Sequence, residues 1–238
     1  MMNRPAVQPH LVHRDSVTSD PNAKPVAAPA VLPFVPKKSP RPQHGRDRMT
    51  FLTPEETLAV LKAARARSVR DWAMILLAYR HGLRASEIVS LKLADVDLKA
   101  GSISIRRLKG SLQTIQPLYQ HRGQPLLNEV FALRAWLRRR SADGSDFLFT
   151  SQKGGKLGRE QFFRVFQKVA EAAGLAPNKR HPHVLKHSLA SHLIAGNVNL
   201  ALVRQALGHR SINSTMQYVG TSDGQAAEAA QKALMQLF

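Results

Sequence analysis

The chain has 238 residues, with 35 Lys plus Arg against 16 Asp plus Glu, a formal net charge of +19. Its 43% apolar content suffices for one packed domain or two small ones, and the absence of Cys excludes disulfides, thiolate metal sites and Cys nucleophiles. No apolar run approaches the ~18 residues of a membrane span, and Pro interrupts the N-terminal stretch where a signal peptide needs its apolar segment. The expectation is a soluble protein that binds a polyanion, because neutralising phosphates releases counterions; charge alone does not separate DNA, RNA and acidic membrane surfaces.

The first fifty residues hold nine of the 14 prolines and carry eight basic against three acidic side chains. Repeated Pro blocks helix and strand alike, so 1–50 reads as a disordered, partly polyproline-like basic arm, either a solvated tail or a segment that tracks phosphates. Order begins at Phe51. Thr53-Pro54-Glu55-Glu56 is a helix start, with Thr53 as cap, Pro54 at the first helical position and Glu56 closing a capping box. Leu58, Leu61 and Ala64 continue its apolar stripe. A second helix is predicted near 70–81, with Trp72, Ile75, Leu76 and Tyr79 at helical spacing and Gly82 ending it, and a short third near 86–91. Residues 101–117 alternate, turn at Lys109-Gly110 and alternate again, a single β-hairpin. Helices follow near 125–140, 158–173, 183–195, 199–207, 211–218 and 224–236, with Gly174 and Gly196 where C-caps belong. The fold class expected is mostly α with one small antiparallel β-sheet (α+β).

Several polar residues are not explained by the apolar pattern. Arg84, in His81-Gly-Leu-Arg84-Ala-Ser-Glu87, lies between two helices beside residues that should be buried, Leu83 and Ile88. A guanidinium held there either clamps a phosphate, its fork matching two oxygens, or pairs with Glu87. In His183-Val-Leu-Lys186-His187 the i, i+3, i+4 spacing puts two imidazoles and an ammonium on one face at a helix start, which suits an anion, while Leu185, Leu189 and Leu193 pack inward. His-x-x-x-His also suits a metal, but the interval lacks the Glu of zinc peptidases and no third ligand follows. His209 after Leu207-Gly208, Tyr218 in Ser214-Thr-Met-Gln-Tyr218, and Lys109 at a hairpin tip each read singly as ordinary surface or packing residues.

Their order carries more. Gly-Leu-Arg84-x-Ser-Glu, a hairpin Lys109, His183-x-x-Lys186-His187, Leu-Gly-His209 and Tyr218, with Ser90-Leu-Lys-Leu-Ala-Asp-Val-Asp97 and His209-Arg-Ser-Ile-x-x-Thr215 in support, resemble the tyrosine recombinase (phage integrase) family from about Phe51 to Tyr218. Phe51-Leu-Thr-Pro-Glu and Arg107-Leu-Lys109 look most like the short invertase-type members that flip fimbrial promoter segments, which lack the usual N-terminal DNA-binding domain.

The resemblance implies site-specific cutting and rejoining of double-stranded DNA through a 3′-phosphotyrosyl intermediate, without metal, ATP or other cofactor. By it Tyr218 is the nucleophile, Arg84 grips non-bridging oxygens, Lys109 protonates the leaving 5′ oxygen, and His183 and His209 bond the phosphate, with His183 also an acceptor for the phenolic proton. Glu87 and His187 brace the site from behind. Lys186 stands where the family has a second Arg, a point charge on a flexible stem in place of a planar fork; losing one charge-assisted bond costs roughly 1.5–3 kcal/mol, tenfold or more in rate, so cleavage should be slowed rather than abolished. The other reading of that departure is a catalytically weakened DNA-binding regulator. Arg106, Lys153, Lys156, Arg159 and Arg164 are candidates for phosphate contacts. The implied partners are DNA carrying recombination sites, further copies of the chain in a tetrameric synapse, with helix 224–236 docking on a neighbour, and an accessory protein or the 1–50 arm in place of the N-terminal domain. The implied setting is the cytoplasm, on the nucleoid, with no membrane.

Overall fold

The computed structural model describes residues 50–107, 113–140, 144–151, 153–219, 231 and 234–235. The 1–50 arm (Thr50 aside), the Lys109-Gly110 turn and nearly all of 224–236 therefore fall outside the described residues.

Helix α1 (Pro54–Arg67) starts as its sequence dictates: Thr53 Oγ1 accepts from the Glu56 N–H at 3.2 Å and the Glu56 carboxylate accepts from the Thr53 N–H at 2.8 Å. Helix α2 (Val69–Arg80), capped by Ser68, is buried continuously from Asp71 to Ala78 and forms the centre of the domain. It ends at Gly82, whose φ of +56° lets the chain reverse into α3 (Ala85–Ile88). The helix expected over 86–91 is shorter than its pattern suggests. The chain leaves it to pair with 146–148, where the Leu148 N–H donates to the Leu91 carbonyl at 2.8 Å.

The hairpin is present as β2 (Ser102–Ile105) and β3 (Thr114–Pro117), with Ile103 opposite Gln116. It gains an edge strand that alternation did not reveal, β1 (Val96–Asp97), giving an antiparallel sheet of order β1-β2-β3. A two-residue strand is too short to carry a period. The stretch expected as one helix over 125–140 divides into a 3₁₀ turn at Pro125–Leu127 and α4 (Glu129–Leu137), because Asn128 caps α4 by accepting from the Phe131 N–H. Helices α5 (Arg159–Ala172), α6 (His183–Ala195) and α7 (Leu200–Leu207) match expectation closely. The helix expected over 211–218 contracts to α8 (Asn213–Met216), since bonds such as Tyr218 N–H to the Thr215 carbonyl are of the tighter 3₁₀ kind.

The main core joins α1, α2, α4, α5, the sheet and the first turns of α6, around Trp72, Phe149, Phe162 and Phe166. Each such side chain contributes roughly 1.5–3 kcal/mol on burial. A separate small cluster of Leu189, Ala190, Val203 and Leu207 holds α7 on α6, and Tyr218 packs against it. Helix α6 is also tied to the start of the domain: Ser188 Oγ accepts from the Leu52 N–H at 2.8 Å and the His192 ring meets the Leu52 carbonyl at 2.9 Å. No described helix is long and apolar enough to cross a membrane.

Replacing Thr53 by Ala removes the reciprocal cap. Thermal or chemical unfolding should register a loss of about 1 kcal/mol.

Candidate active site

Helix α6 is the platform. Pro182 opens it, His183 stands exposed in its first turn, and the His183 and His187 rings meet edge to face with centroids 4.3 Å apart. Lys186 departs from the expectation that it is displayed beside them. It is 1% exposed, and its ammonium turns inward to donate to the carbonyls of Gly82 at 2.9 Å and Leu207 at 2.7 Å. The helical spacing sets the direction of Cβ; the longer stem then follows the nearest unsatisfied carbonyls.

Arg84 caps α3 between the buried Leu83 and Ile88. Its Nη1 lies 3.0 Å from Glu87 Oε1, so the pairing with Glu87 exists. The guanidinium also acts on its surroundings, since its charge is felt by His183, Lys186, His209 and Tyr218. Glu87 is buried, which alone would raise its carboxyl. The Arg84 backbone N–H and the charges of Arg107, Lys186 and Arg84 overcome that and hold it below the ordinary carboxylate value.

Arg107 belongs to this site, and residue type and order did not single it out. Its side chain is 0% exposed. Nη1 donates to the Gly82 carbonyl at 3.1 Å and approaches Glu87 at 3.3 Å, while Nη2 donates to the carbonyls of His81 at 2.8 Å and Ala206 at 3.0 Å. A signal was available: Ile103, Ile105 and Arg107 share the inward register of a half-buried strand, and a charge on that register needs buried partners.

His209 follows Gly208, the left-handed C-cap of α7, and its Nδ1 sits 3.0 Å from Thr215 Oγ1, itself fully buried. That bond ties the loop to the segment carrying Tyr218, whose hydroxyl lies 2.8 Å from His187 Nδ1. The structure therefore brings Arg84, Glu87, His183, Lys186, His187, His209 and Tyr218 together, with Arg107 added; Lys109 lies outside the described residues. Arg180, near Lys186 in sequence, is engaged elsewhere, with the Leu175 carbonyl and Glu171.

Burial and mutual repulsion of cations set the protonation states. Burial, then Arg107 and Arg84, lower Lys186 to about 7. Burial, then His183 for one and Lys186 for the other, lower His187 and His209 each to about 4, so both imidazoles are neutral near pH 7. Burial raises the Tyr218 phenol to about 12. A phosphodiester placed among these groups adds a negative charge that favours the protonated imidazoles and the Lys186 ammonium, against the burial and cation repulsion that lower them. Among the described residues no three His, Asp or Glu side chains are placed to hold a metal ion.

The five basic residues considered for phosphate contact are scattered. Arg159 lines a cleft of ≈ 460 Å³ together with Phe163, His181 and His183, at the border of the site. Lys153 and Arg164 share a separate depression with Arg67, Arg70 and Lys168. The Lys156 ammonium lies over the Phe147 ring at 5.3 Å, and Arg106 pairs with Asp95 at 2.8 Å.

The histidines also fix a pH dependence. Below pH 6.5 the unfolded chain takes up protons that His187 and His209 refuse in the fold until about pH 4. Their contribution to stability is therefore complete above pH 6.5 and is lost as pH falls toward 4. Denaturant unfolding from pH 7 to 4.5 should show this decline, and His209→Gln should flatten it.

The chain is similar to known proteins over the region that holds these residues. Residues 50–225 match the phage integrase family. The type 1 fimbriae regulatory protein FimE of Escherichia coli K12 is 35% identical over 178 residues, covering 72% of this chain and 86% of that protein. FimB of the same strain is 37% identical over 182 residues, covering 74% and 87%. Among solved structures, the XerH site-specific recombinase bound to its difH substrate in a pre-cleavage complex superimposes with a TM-score of 0.65 at 28% identity, over 77% of this chain and 54% of XerH. Arg84, His183, His209 and Tyr218 thus converge within the matched region, and the chain belongs to the phage integrase family of tyrosine recombinases.

Proposed function

We propose that this chain is a site-specific DNA recombinase that cuts and rejoins strands through a phosphotyrosyl link formed by Tyr218. The observation that carries the reading is the Tyr218 hydroxyl held 2.8 Å from a neutral His187 imidazole, within the field of Arg84.

The chemistry follows from these groups. The Tyr218 oxygen attacks a backbone phosphorus in line while its proton passes to His187 Nδ1; the bond to the 5′ oxygen breaks and that oxygen takes a proton. The proton-accepting role that the family resemblance allowed for His183 passes to His187, the ring in hydrogen-bond contact with the phenol. Negative charge gathers on the non-bridging oxygens, and Arg84, with His183 and His209, receives it. A bound phosphate also raises His187 from its low resting value, which favours the transfer. Lys109, by the family resemblance, donates to the leaving oxygen. Rejoining is the same step reversed by a 5′ hydroxyl, so the link conserves the energy of the broken bond and no ATP is consumed.

The partner is double-stranded DNA. XerH, similar over the same region, is seen with its difH substrate. The +19 charge supplies the long-range attraction. We further propose that the catalytic domain spans 51–222, that the basic 1–50 arm strengthens contact with phosphates, and that 223–238 docks on a neighbouring copy within an assembly on DNA.

Incubating the protein in EDTA with a pool of nicked duplexes of random central sequence should yield SDS-resistant protein–DNA adducts, which Tyr218→Phe abolishes. Arg84→Ala should slow adduct formation about a hundredfold or more, the range for a group that stabilises developing charge. Adducts that persist in Tyr218→Phe would refute the assignment. Deleting 1–50 should weaken affinity and flatten the dependence of log K on log salt, in proportion to the phosphate contacts removed; unchanged titrations would assign the arm no role in binding.

A further inference from the structure

Two buried cations in the site face backbone rather than solvent. The Lys186 ammonium bridges the Gly82 and Leu207 carbonyls, and the Arg107 guanidinium bridges His81, Gly82 and Ala206, with Glu87 offsetting its charge. Gly82 O is shared by both. Gln116 of β3 joins them, its Nε2 donating to the Ala206 carbonyl at 3.0 Å while its Oε1 meets His81 Nδ1 at 2.7 Å. Ala206 and Leu207 lie in the last turn of α7, where carbonyls have no helical partner and the helix dipole is negative; a cation placed there satisfies both deficits.

Two glycines allow the approach. A Cβ on Gly82 would lie 2.9 Å from Leu207 Cδ2, and a Cβ on Gly208 would lie 2.6 Å from Arg107 Nε. Both have positive φ, +56° and +65°. The two chain reversals that precede Arg84 and His209 are thus pressed together with Lys186 and Arg107 between them. Arg84 follows Gly82 by two residues and His209 follows Gly208 by one, so the separation of these two phosphate-facing groups is set by the joint.

Resting on the recombinase reading of the site, we propose that Lys186 and Arg107 are positioning residues. They form a buried clamp between 81–82 and 206–207 that sets the spacing of Arg84 and His209, and Lys186 does not contact the scissile phosphate. The residue at 186 is then selected for its N–H donors to two carbonyls rather than for a fork aimed at DNA.

The test uses the full chain and a duplex recovered by the adduct capture described above, made with either a normal phosphate or a neutral methylphosphonate at the cleavage position. Removing a cation that touches the phosphate should matter less on the neutral substrate, because less charge then develops. Lys186→Met leaves two carbonyls without donors, whereas Lys186→Gln retains two N–H donors without charge. The clamp predicts that Lys186→Gln cleaves at least about tenfold faster than Lys186→Met, the worth of one strong hydrogen bond. It also predicts that both variants, and Arg107→Lys, keep the wild-type ratio of phosphate to methylphosphonate rates, while Arg84→Ala regains rate on methylphosphonate. If either Lys186 variant regains rate as Arg84→Ala does, Lys186 reads the phosphate and the clamp is overturned. Should Lys186→Met not fold, the substrate ratio of Lys186→Gln decides alone.

Hydrogen exchange on the free protein separates the two readings. In Lys186→Gln and Arg107→Lys, amides of 82–88 and 206–210 should lose protection together; loss at only one segment, or at neither, refutes the clamp whether or not any adduct is seen. Absence of Tyr218-dependent adducts in the wild type, with coupled loss of protection in the variants, would overturn the recombinase reading and leave the joint standing.

Discussion

The site depends on how positive charge is kept inside the fold. Arg84, Arg107 and Lys186 crowd around one carboxylate, Glu87, and the three bury to different degrees. An isolated buried cation is costly unless its hydrogens are satisfied. Lys186 and both terminal nitrogens of Arg107 find backbone carbonyls from two chain reversals, while the buried Arg107 Nε has no partner among the described residues. Arg84, at the edge and partly exposed, leaves its charge felt by the imidazoles and the phenol. The arrangement concentrates positive charge enough to lower Lys186 to about 7, and an anion bound there would relieve it.

The same charge explains the resting state. His187 and His209 stay neutral because burial and their cationic neighbours oppose a further proton, and the Tyr218 phenol stays protonated because burial opposes its anion. The Tyr218 hydroxyl and His187 Nδ1, the proposed nucleophile and acceptor, are in contact before any substrate is present, yet the proton does not move. A bound phosphate raises His187 from its low resting value, so in the proposed reaction acceptance of the phenolic proton follows occupancy of the site. Tyr218 packs on a small cluster, Leu189, Ala190, Val203 and Leu207, separate from the main core. Elements resting on few apolar contacts open at lower free-energy cost than those in a large core.

Much was legible before any coordinates. The capping box at Thr53 and Glu56, the stripe of α2, the stop at Gly82 and the span of α6 follow from local chemistry with short range, and the structure reproduces each. Local chemistry was silent where a neighbour decides. Val96–Asp97 becomes a strand only because β2 lies beside it, and 125–140 divides because the Asn128 side chain takes a bond that a continuous helix would not need. The candidate residues of the site were legible from their types and order, but order does not say which way a side chain turns.

Lys186 and Arg107 mark that boundary. The chain by itself determined that a cation stands at each position, that Lys186 sits one turn into a helix between two histidines, and that Arg107 falls on the inward register of a strand. It also determined the two glycines that let the chain reverse before Arg84 and before His209. Tertiary structure alone decided that the reversals meet, that the free carbonyls of α7 face those cations, and that the Tyr218 hydroxyl ends beside His187 and not elsewhere. The physical reason is range: helix caps and strand registers are settled within a few residues, whereas a buried charge takes its partners from whatever carbonyls the packing of distant segments brings within 3 Å.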